Sequence, residues 1–258
     1  MKIAVLCKAV PGAVSEVKIA SGGKALQYQS ESITMNESDE YALAEAIALK
    51  RAYGGEVTVL TMGSITTQNI IYLALARGAD KAMRIDAQVQ DSQAASIVLA
   101  AALRTLEFDL VLTGTQSRDT QSGMVGIAIA ERLEIPFAFA VTQVETDGDK
   151  SLRVRKELGS GRYADVKLPL PALLCVQTGI QPLTYVPPAR MVRARQQPVR
   201  SLSLASLGLT EDQIVAQGYH FLSVSPPERT GQVQLLEGSA EEIAAALYAK
   251  IKEVVVSS

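Results

Sequence analysis

A chain of 258 residues, 48% hydrophobic and 20% charged, can bury the core of one large α/β domain or of a domain with an appendage. Its formal net charge of −2 excludes a global electrostatic pull toward nucleic acid or an anionic membrane surface. One histidine, His220, and two cysteines far apart in the chain, Cys7 and Cys175, give no metal-ligand spacing and no histidine-based triad unless His220 itself serves.

In chain order, KIAVLCKAV is a continuous apolar run, as expected of a strand covered on both faces. It is too short for a signal peptide, and no apolar run reaches about 18 residues. The expectation is a cytoplasmic protein with no integral membrane segment. Cys7 and Cys175 sit inside apolar runs and read as small buried hydrophobes of a reducing compartment. Residues 38–53 have apolar positions at helical spacing, with Ser38 or Asp39 as cap and Gly54–Gly55 as stop. EVTVLTMG follows as a strand, and TTQNIIYLALARGAD as a helix ended by Gly78. KAMRID is a strand, DSQAASIVLAAALRTLE a helix, FDLVLTG a strand, and SGMVGIAIAERLEI a helix stopped before Pro136. Strand–helix units in series predict a doubly wound, mostly parallel sheet, whose ligands bind beyond the carboxyl ends of the strands. Cys7–Pro11, Thr61–Thr66 and Thr113–Gly123 then share one rim. Asp147–Gly148 and Gly159–Ser160–Gly161 are hairpin signals for an antiparallel extension, and LPALLCVQT is one more buried strand.

After Gln177 the composition shifts to prolines and arginines, among them Pro182, Pro187, Pro188, Arg190, Arg193, Arg195, Pro198 and Arg200. Pro226–Pro227 precede a last helix, EGSAEEIAAALYAKIKE, with Ser239 as cap. Two domains follow from this: an α/β domain over 1–200, and a C-terminal arm and helix over 201–258 that packs on its own domain or on a partner subunit.

The strongest local signal is VLTGTQSRDTQSGMVGIAIAERL, residues 111–133. A buried strand ends at Gly114, a small and polar loop follows, and a helix starts near Ser122–Gly123. Main-chain N–H groups at such a start, with glycines permitting close approach, make a phosphate site. Thr120, Gln121 and Ser122 can add donors, and Gln116 and Asp119 can reach a ribose or base edge. An ordinary strand–helix loop has the same outline. There is no Walker A pattern and no G-x-G-x-x-G after the first strand, and Ser21–Gly22–Gly23 reads as a hairpin turn. The arginines after Gln181 lack the aromatic interleaving of a nucleic-acid surface.

Taken together, MKIAVLCKAVP, MNESDEYALAEAIALK, ALARGADKAMRID, LVLTGTQSRDTQSGMVG and KLPLPALLCVQTGIQPL resemble, in order and spacing, the β subunit of electron transfer flavoproteins. PPERTGQVQLLEG resembles the C-terminal arm of bacterial members. The resemblance implies a Rossmann-like domain of the adenine nucleotide α-hydrolase type. It would bind AMP, or a second FAD in electron-bifurcating members, while the working FAD is held mainly by an α-type partner subunit. Carried over by position, the pocket is Leu6, Asn36, Glu37, Ser38, Asp39, Met62, Gly114, Thr115, Gln116, Ser117, Arg118, Asp119, Thr120, Gln121, Ser122, Gly123, Met124 and Val125. It contains no catalytic residue and no metal ligand. The loop around 182–195 would dock a redox partner, a dehydrogenase or a quinone reductase.

The chain departs from the family pattern in three places. Thr115 stands for the usual loop lysine, and Gly12–Ala13 for an aromatic or acidic pair near the flavin. Pro182–Leu183–Thr184–Tyr185 followed by Pro187–Pro188 replaces the leucine that docks acyl-CoA dehydrogenases, which implies a different redox partner. The expected function is an electron carrier subunit. The alternatives are an electron-bifurcating subunit with FAD in this site, or a universal-stress-type nucleotide-binding regulator.

Overall fold

The apolar runs form the central strands of one sheet, and the segments with helical spacing cover both its faces. A computed structural model describes residues 1–12, 18–21, 23, 26–27, 33–89, 91–148, 150–215, 222–226, 228, 231 and 233–256. Ala13 of the Gly12–Ala13 pair, parts of the Ser21–Gly22–Gly23 turn, His220, Pro227 and parts of PPERTGQVQLLEG lie outside the described residues. In chain order the elements are β1 (Lys2–Leu6), β2 (Ala9–Pro11), β3 (Lys18–Ile19), β4 (Leu26–Gln27), β5 (Ile33–Met35), α1 (Glu37–Tyr53), β6 (Glu56–Met62), α2 (Gln68–Arg77), β7 (Lys81–Asp86) and α3 (Ser92–Leu103). Then come β8 (Leu110–Gly114), α4 (Val125–Leu133), β9 (Phe137–Thr146), β10 (Ser151–Gly159), β11 (Arg162–Pro169), β12 (Ala172–Val176), α5 (Pro188–Ala194), β13 (Arg200–Ser203), α6 (Glu211–Val215) and α7 (Ala240–Val256).

The main sheet runs β11-β10-β9-β12-β8-β1-β6-β7-β13. From β9 to β13 all neighbours are parallel, while β10 and β11 add an antiparallel hairpin beyond β9. Short antiparallel pairs, β2 with β5 and β3 with β4, lie apart from it. In β1, Val5 pairs with Val59 on one side and with Leu112 of β8 on the other. Alternate residues of the central strands feed two cores. One, with Ile3 and Val5, packs on α1 and α2; the other, with Ala4 and Leu6, packs on α3 and α4. The chain leaves β1 toward β6 and β7, then crosses back to β8 on the far side of β1. The topological switch point is therefore the crevice beyond the carboxyl ends of β1 and β8.

Four local features differ from the sequence reading. Helix α4 begins at Val125, not near Ser122, because Gln121 and Gly123 have φ values of 50° and 62° that no helix accommodates. Helix α1 begins at Glu37 with Asn36 at its N-cap, so neither Ser38 nor Asp39 caps it; both side chains turn to the neighbouring loop instead. Inside the proline- and arginine-rich stretch, Pro188 opens α5, as suits its fixed φ. At the end of that stretch Arg200–Ser203 adds the edge strand β13 beside β7.

Both cysteines are buried with free thiols. Residues Met1–Ser223 form one compact unit and Val224–Ser258 a second. Within the second, Ser239 and Glu242 close α7 with reciprocal bonds, Ser239 N donating to Glu242 Oε2 (2.8 Å) and Glu242 N to Ser239 Oγ (3.3 Å). Among the described residues no helix is long and apolar enough to cross a membrane.

Candidate functional site

The crevice at the switch point is built around a buried polar knot at the start of α1. Asn36, Ser38 and Asp39 are only 2%, 5% and 4% exposed. Asp39 Oδ2 accepts from the Lys8 N–H (2.8 Å) and Oδ1 from the Gly114 N–H (2.9 Å), so one carboxylate pins the ends of β1 and β8 to α1. Asn36 Nδ2 donates to the Gln116 carbonyl (2.9 Å) and to Ser38 Oγ (3.0 Å), and its Oδ1 accepts from the Arg118 N–H (3.0 Å). The Ser38 hydroxyl donates to the same Gln116 carbonyl (2.7 Å). This contact demands a glycine at 114. A Cβ there would lie 2.6 Å from both Asp39 Oδ1 and Ser38 Cβ, and closer still to Ser38 Oγ.

The loop from Thr115 to Met124 is thereby fixed at its base and open at its rim. Lys8 Nζ lies 2.8 Å from both Asp119 carboxylate oxygens and 3.2 Å from Ser117 Oγ. Ser117 Oγ is 2.9 Å from Thr120 Oγ1, and Ser122 Oγ is 2.6 Å from Ser92 Oγ at the start of α3. Glu37 pairs loosely with Arg118 at 3.6 Å. The N-terminus of α4 has no capping side chain. Among the described residues, the N–H groups from Ser122 to Ile127 have no hydrogen-bond partner. Gly123 sits at φ 62° with nothing nearer to a Cβ than the Thr115 carbonyl at 3.6 Å. Gly126, the second residue of α4, lets the helix press on the sheet; a Cβ there would meet Cys175 Sγ at 2.5 Å and Thr113 Cγ2 at 2.9 Å.

Electrostatics follow from this arrangement. Burial pushes the Asp39 carboxyl up to about 6, against the opposing pull of the Lys8 and Gly114 N–H groups, the Asn36 side chain and the Lys8 ammonium. Burial also acts to raise Asp119, but hydrogen bonds from Lys8 and Ser117 and the Lys8 charge hold it below its ordinary value. Burial, and then the Asp39 charge, push the Cys175 thiol to about 12, so it is no nucleophile at neutral pH. Among the described residues no group of His, Cys, Asp or Glu side chains could hold a metal ion.

With Glu37 paired to Arg118 and Gly114 held against Asp39, the other residues singled out from the sequence fall into three sets. Asn36 and Ser38 spend their side chains on the loop, and Asp39 spends its carboxylate on the ends of β1 and β8. Thr115 to Val125 line the rim, with Gln116, Arg118, Asp119, Thr120, Gln121, Ser122 and Met124 exposed. Leu6 and Met62 end β1 and β6 beside the crevice, Leu6 buried in the α3/α4 core and Met62 half-buried against it. Lys8 and Ser92 belong to the site and were missed. The signal for Lys8 was present, since a charged side chain directly after a buried parallel strand must lie on the carboxyl-end rim. Nothing in the sequence pairs Ser92 with Ser122, thirty residues away.

Comparison with known proteins shows the family of the chain. Residues 26–207 match the family model of the electron transfer flavoprotein domain. The electron transfer flavoprotein subunit beta of Clostridium acetobutylicum is 31% identical over 258 residues, 98% of each chain. That of Bacillus subtilis is 30% identical, covering 92% of this chain and 93% of its own. Subunit CarD of the caffeyl-CoA reductase–Etf complex of Acetobacterium woodii is 30% identical over 98% of each chain.

Proposed function

The chain belongs to the electron transfer flavoprotein β-subunit family, and from that premise we propose that it is the nucleotide-holding half of a two-subunit electron carrier, with AMP in the crevice between β1 and β8. The observation that carries this reading is the run of N–H groups from Ser122 to Ile127 at the start of α4 that have no partner among the described residues, beside Gly123, where an added Cβ would make only ordinary contacts with the Thr115 carbonyl (3.6 Å) and Phe139 Cζ (3.9 Å). These donors fit a phosphate, with Ser122 and Thr120 beside them. The family's loop lysine is Thr115 here, and Lys8 brings a cation to the same rim from β1. The knot of Asn36, Ser38 and Asp39 acts indirectly by presetting the loop, which lowers the ordering cost of binding.

In this reading the β subunit contributes no acid–base catalyst. The working FAD, when bound mainly by an α-type partner, supplies the electron-accepting ring. The residues of this chain bind the nucleotide, brace the interface and present a docking surface. Tyr185, 77% exposed, and the exposed Val192, Arg190, Arg193 and Arg195 of the 182–195 segment form that surface for a redox partner protein. The second unit, with Leu247, Tyr248, Ile251 and Val255 exposed along α7, is the arm that packs on the α-type subunit. A second FAD in the same cradle is the alternative occupant, since its pyrophosphate meets the same donors; the pair would then be of the electron-bifurcating kind.

Denaturing the purified two-subunit complex and identifying the released nucleotides by mass spectrometry decides between them. One FAD and one AMP per pair supports the simple carrier; two FAD supports the alternative. Gly123→Glu, which brings a carboxylate and bulk to the cradle, is expected to release the β-bound nucleotide. Unchanged nucleotide content in that variant removes the crevice from the reading.

A further inference from the structure

The Lys8 main chain is clamped on both sides, its N–H donating to Asp39 Oδ2 at 2.8 Å and its carbonyl accepting from the Asn36 N–H at 2.9 Å. The side chain therefore leaves the end of β1 from a fixed point and crosses to the loop between β8 and α4. There its ammonium meets three acceptors, the two Asp119 carboxylate oxygens at 2.8 Å each and Ser117 Oγ at 3.2 Å. An ammonium carries three N–H donors, so these contacts take up its capacity. The acceptors are themselves tied into the loop. Ser117 Oγ lies 2.9 Å from Thr120 Oγ1, Asp119 Oδ1 accepts from the Thr120 N–H at 2.9 Å, and the Gln121 N–H donates to the Ser117 carbonyl at 2.9 Å. The Asp119 side chain is only 19% exposed, so the pair is partly shielded from solvent screening.

We infer that Lys8 is a positioning residue of the crevice: its ammonium, taken up by Asp119 and Ser117, holds the 117–121 turn in shape and leaves the phosphate to the main-chain donors at the start of α4. The inference rests on the nucleotide reading above. A lysine that binds phosphate needs a donor aimed at the ligand, and here a carboxylate holding two of the three donors would first have to be displaced. The division of labour is visible in the contacts. Asn36 and Ser38 hold the loop by its main chain at Gln116 and Arg118, and Lys8 adds a hold on the side chains of Ser117 and Asp119. Asp119 likewise serves the turn and not the ribose.

Adenosine, which has no phosphate, separates the two roles. Its affinity and that of AMP are measured by calorimetry on the purified full chain, and hydrogen exchange of the Gln121 amide is followed without ligand. Lys8→Met and Asp119→Ala should each weaken adenosine about fivefold, the effect of losing one part-buried ion pair. The double variant should lose no more than either single one, because both remove the same contact. The Gln121 amide should exchange faster in all three. Lys8→Arg, which keeps a cation against Asp119, should recover most of the adenosine affinity and the slow exchange. Weakened AMP with unchanged adenosine and unchanged Gln121 exchange in Lys8→Met would make Lys8 a direct phosphate ligand and overturn the inference. Additive losses in the double variant overturn it as well, as does a lower melting temperature with both affinities intact. A parent chain that binds neither AMP nor adenosine removes the nucleotide reading itself, and this inference with it.

Discussion

Replacing Gly114 by alanine probes the joint on which the crevice depends. Its φ is not among the positive values, so the backbone itself accepts alanine. The obstacle is space. The new Cβ would stand 2.6 Å from Asp39 Oδ1 and from Ser38 Cβ, where ordinary contact begins at 3.4 Å, so the first turn of α1 must retreat by nearly an ångström. That retreat stretches the buried bond from the Gly114 N–H to Asp39 (2.9 Å) and the part-buried bond from Ser38 to the Gln116 carbonyl (2.7 Å). Losing a hydrogen bond to a charged acceptor costs about 1.5–3 kcal/mol and a neutral one about 1 kcal/mol. With the residual overpacking, the total expected is about 3–5 kcal/mol. Gly148→Ala is the control: its φ is 80° with nothing within 4 Å of a Cβ, so only backbone strain of about 1–2 kcal/mol applies. Urea unfolding of the two variants beside the parent gives both numbers. A Gly114→Ala cost no larger than that of Gly148→Ala would refute the packing argument, and unaltered nucleotide affinity would refute the claim that the knot presets the loop.

Three further outcomes are expected. Gly126→Ala should cost about 1–3 kcal/mol through overpacking against Cys175 and Thr113. Cys175→Ala in the same chain should recover part of that loss by removing the sulfur, which a double-mutant cycle in denaturant measures. For Asp39, whose folded-state value near 6 lies above its ordinary 3.8, the native state holds a proton that the unfolded chain has released; the stability from this group is full below about pH 4 and lost as pH rises through 6. Asp39→Asn does not titrate, so the parent's stability relative to this variant should be greater at pH 5 than at pH 8 by about 1.4 kcal/mol; a difference that is flat or reversed between the two pH values contradicts the assignment. Finally, Leu247→Glu with Ile251→Glu on α7 should abolish co-purification with an α-type partner while leaving the melting of the Met1–Ser223 unit unchanged, as read by calorimetry and pull-down.

Much of the architecture was legible because it rests on local chemistry. Short continuous apolar runs such as IAVLC and LVLTG, bounded by turn residues, read as strands buried on both faces, and the glycines at 54, 78 and 148 stand at the ends of elements or in a turn. Alternation of such strands with amphipathic helices imposed the doubly wound sheet and the crevice at its switch point. The linear sequence could not reveal which partner a buried polar side chain would choose. Ser38 and Asp39 look like helix caps in sequence, yet a glycine seventy-five residues later brings a bare backbone close enough to take their hydrogen bonds, and Asn36 turns to the same loop. The strand β13 was likewise invisible, because an edge strand's pairing is decided by the open side of β7 and not by its own four residues. Side-chain type and spacing determined which elements form. Long-range backbone approach alone decided that Lys8, Asp39 and Gly114 meet, since hydrogen bonds between distant residues exist only once the sheet has placed them within 3 Å.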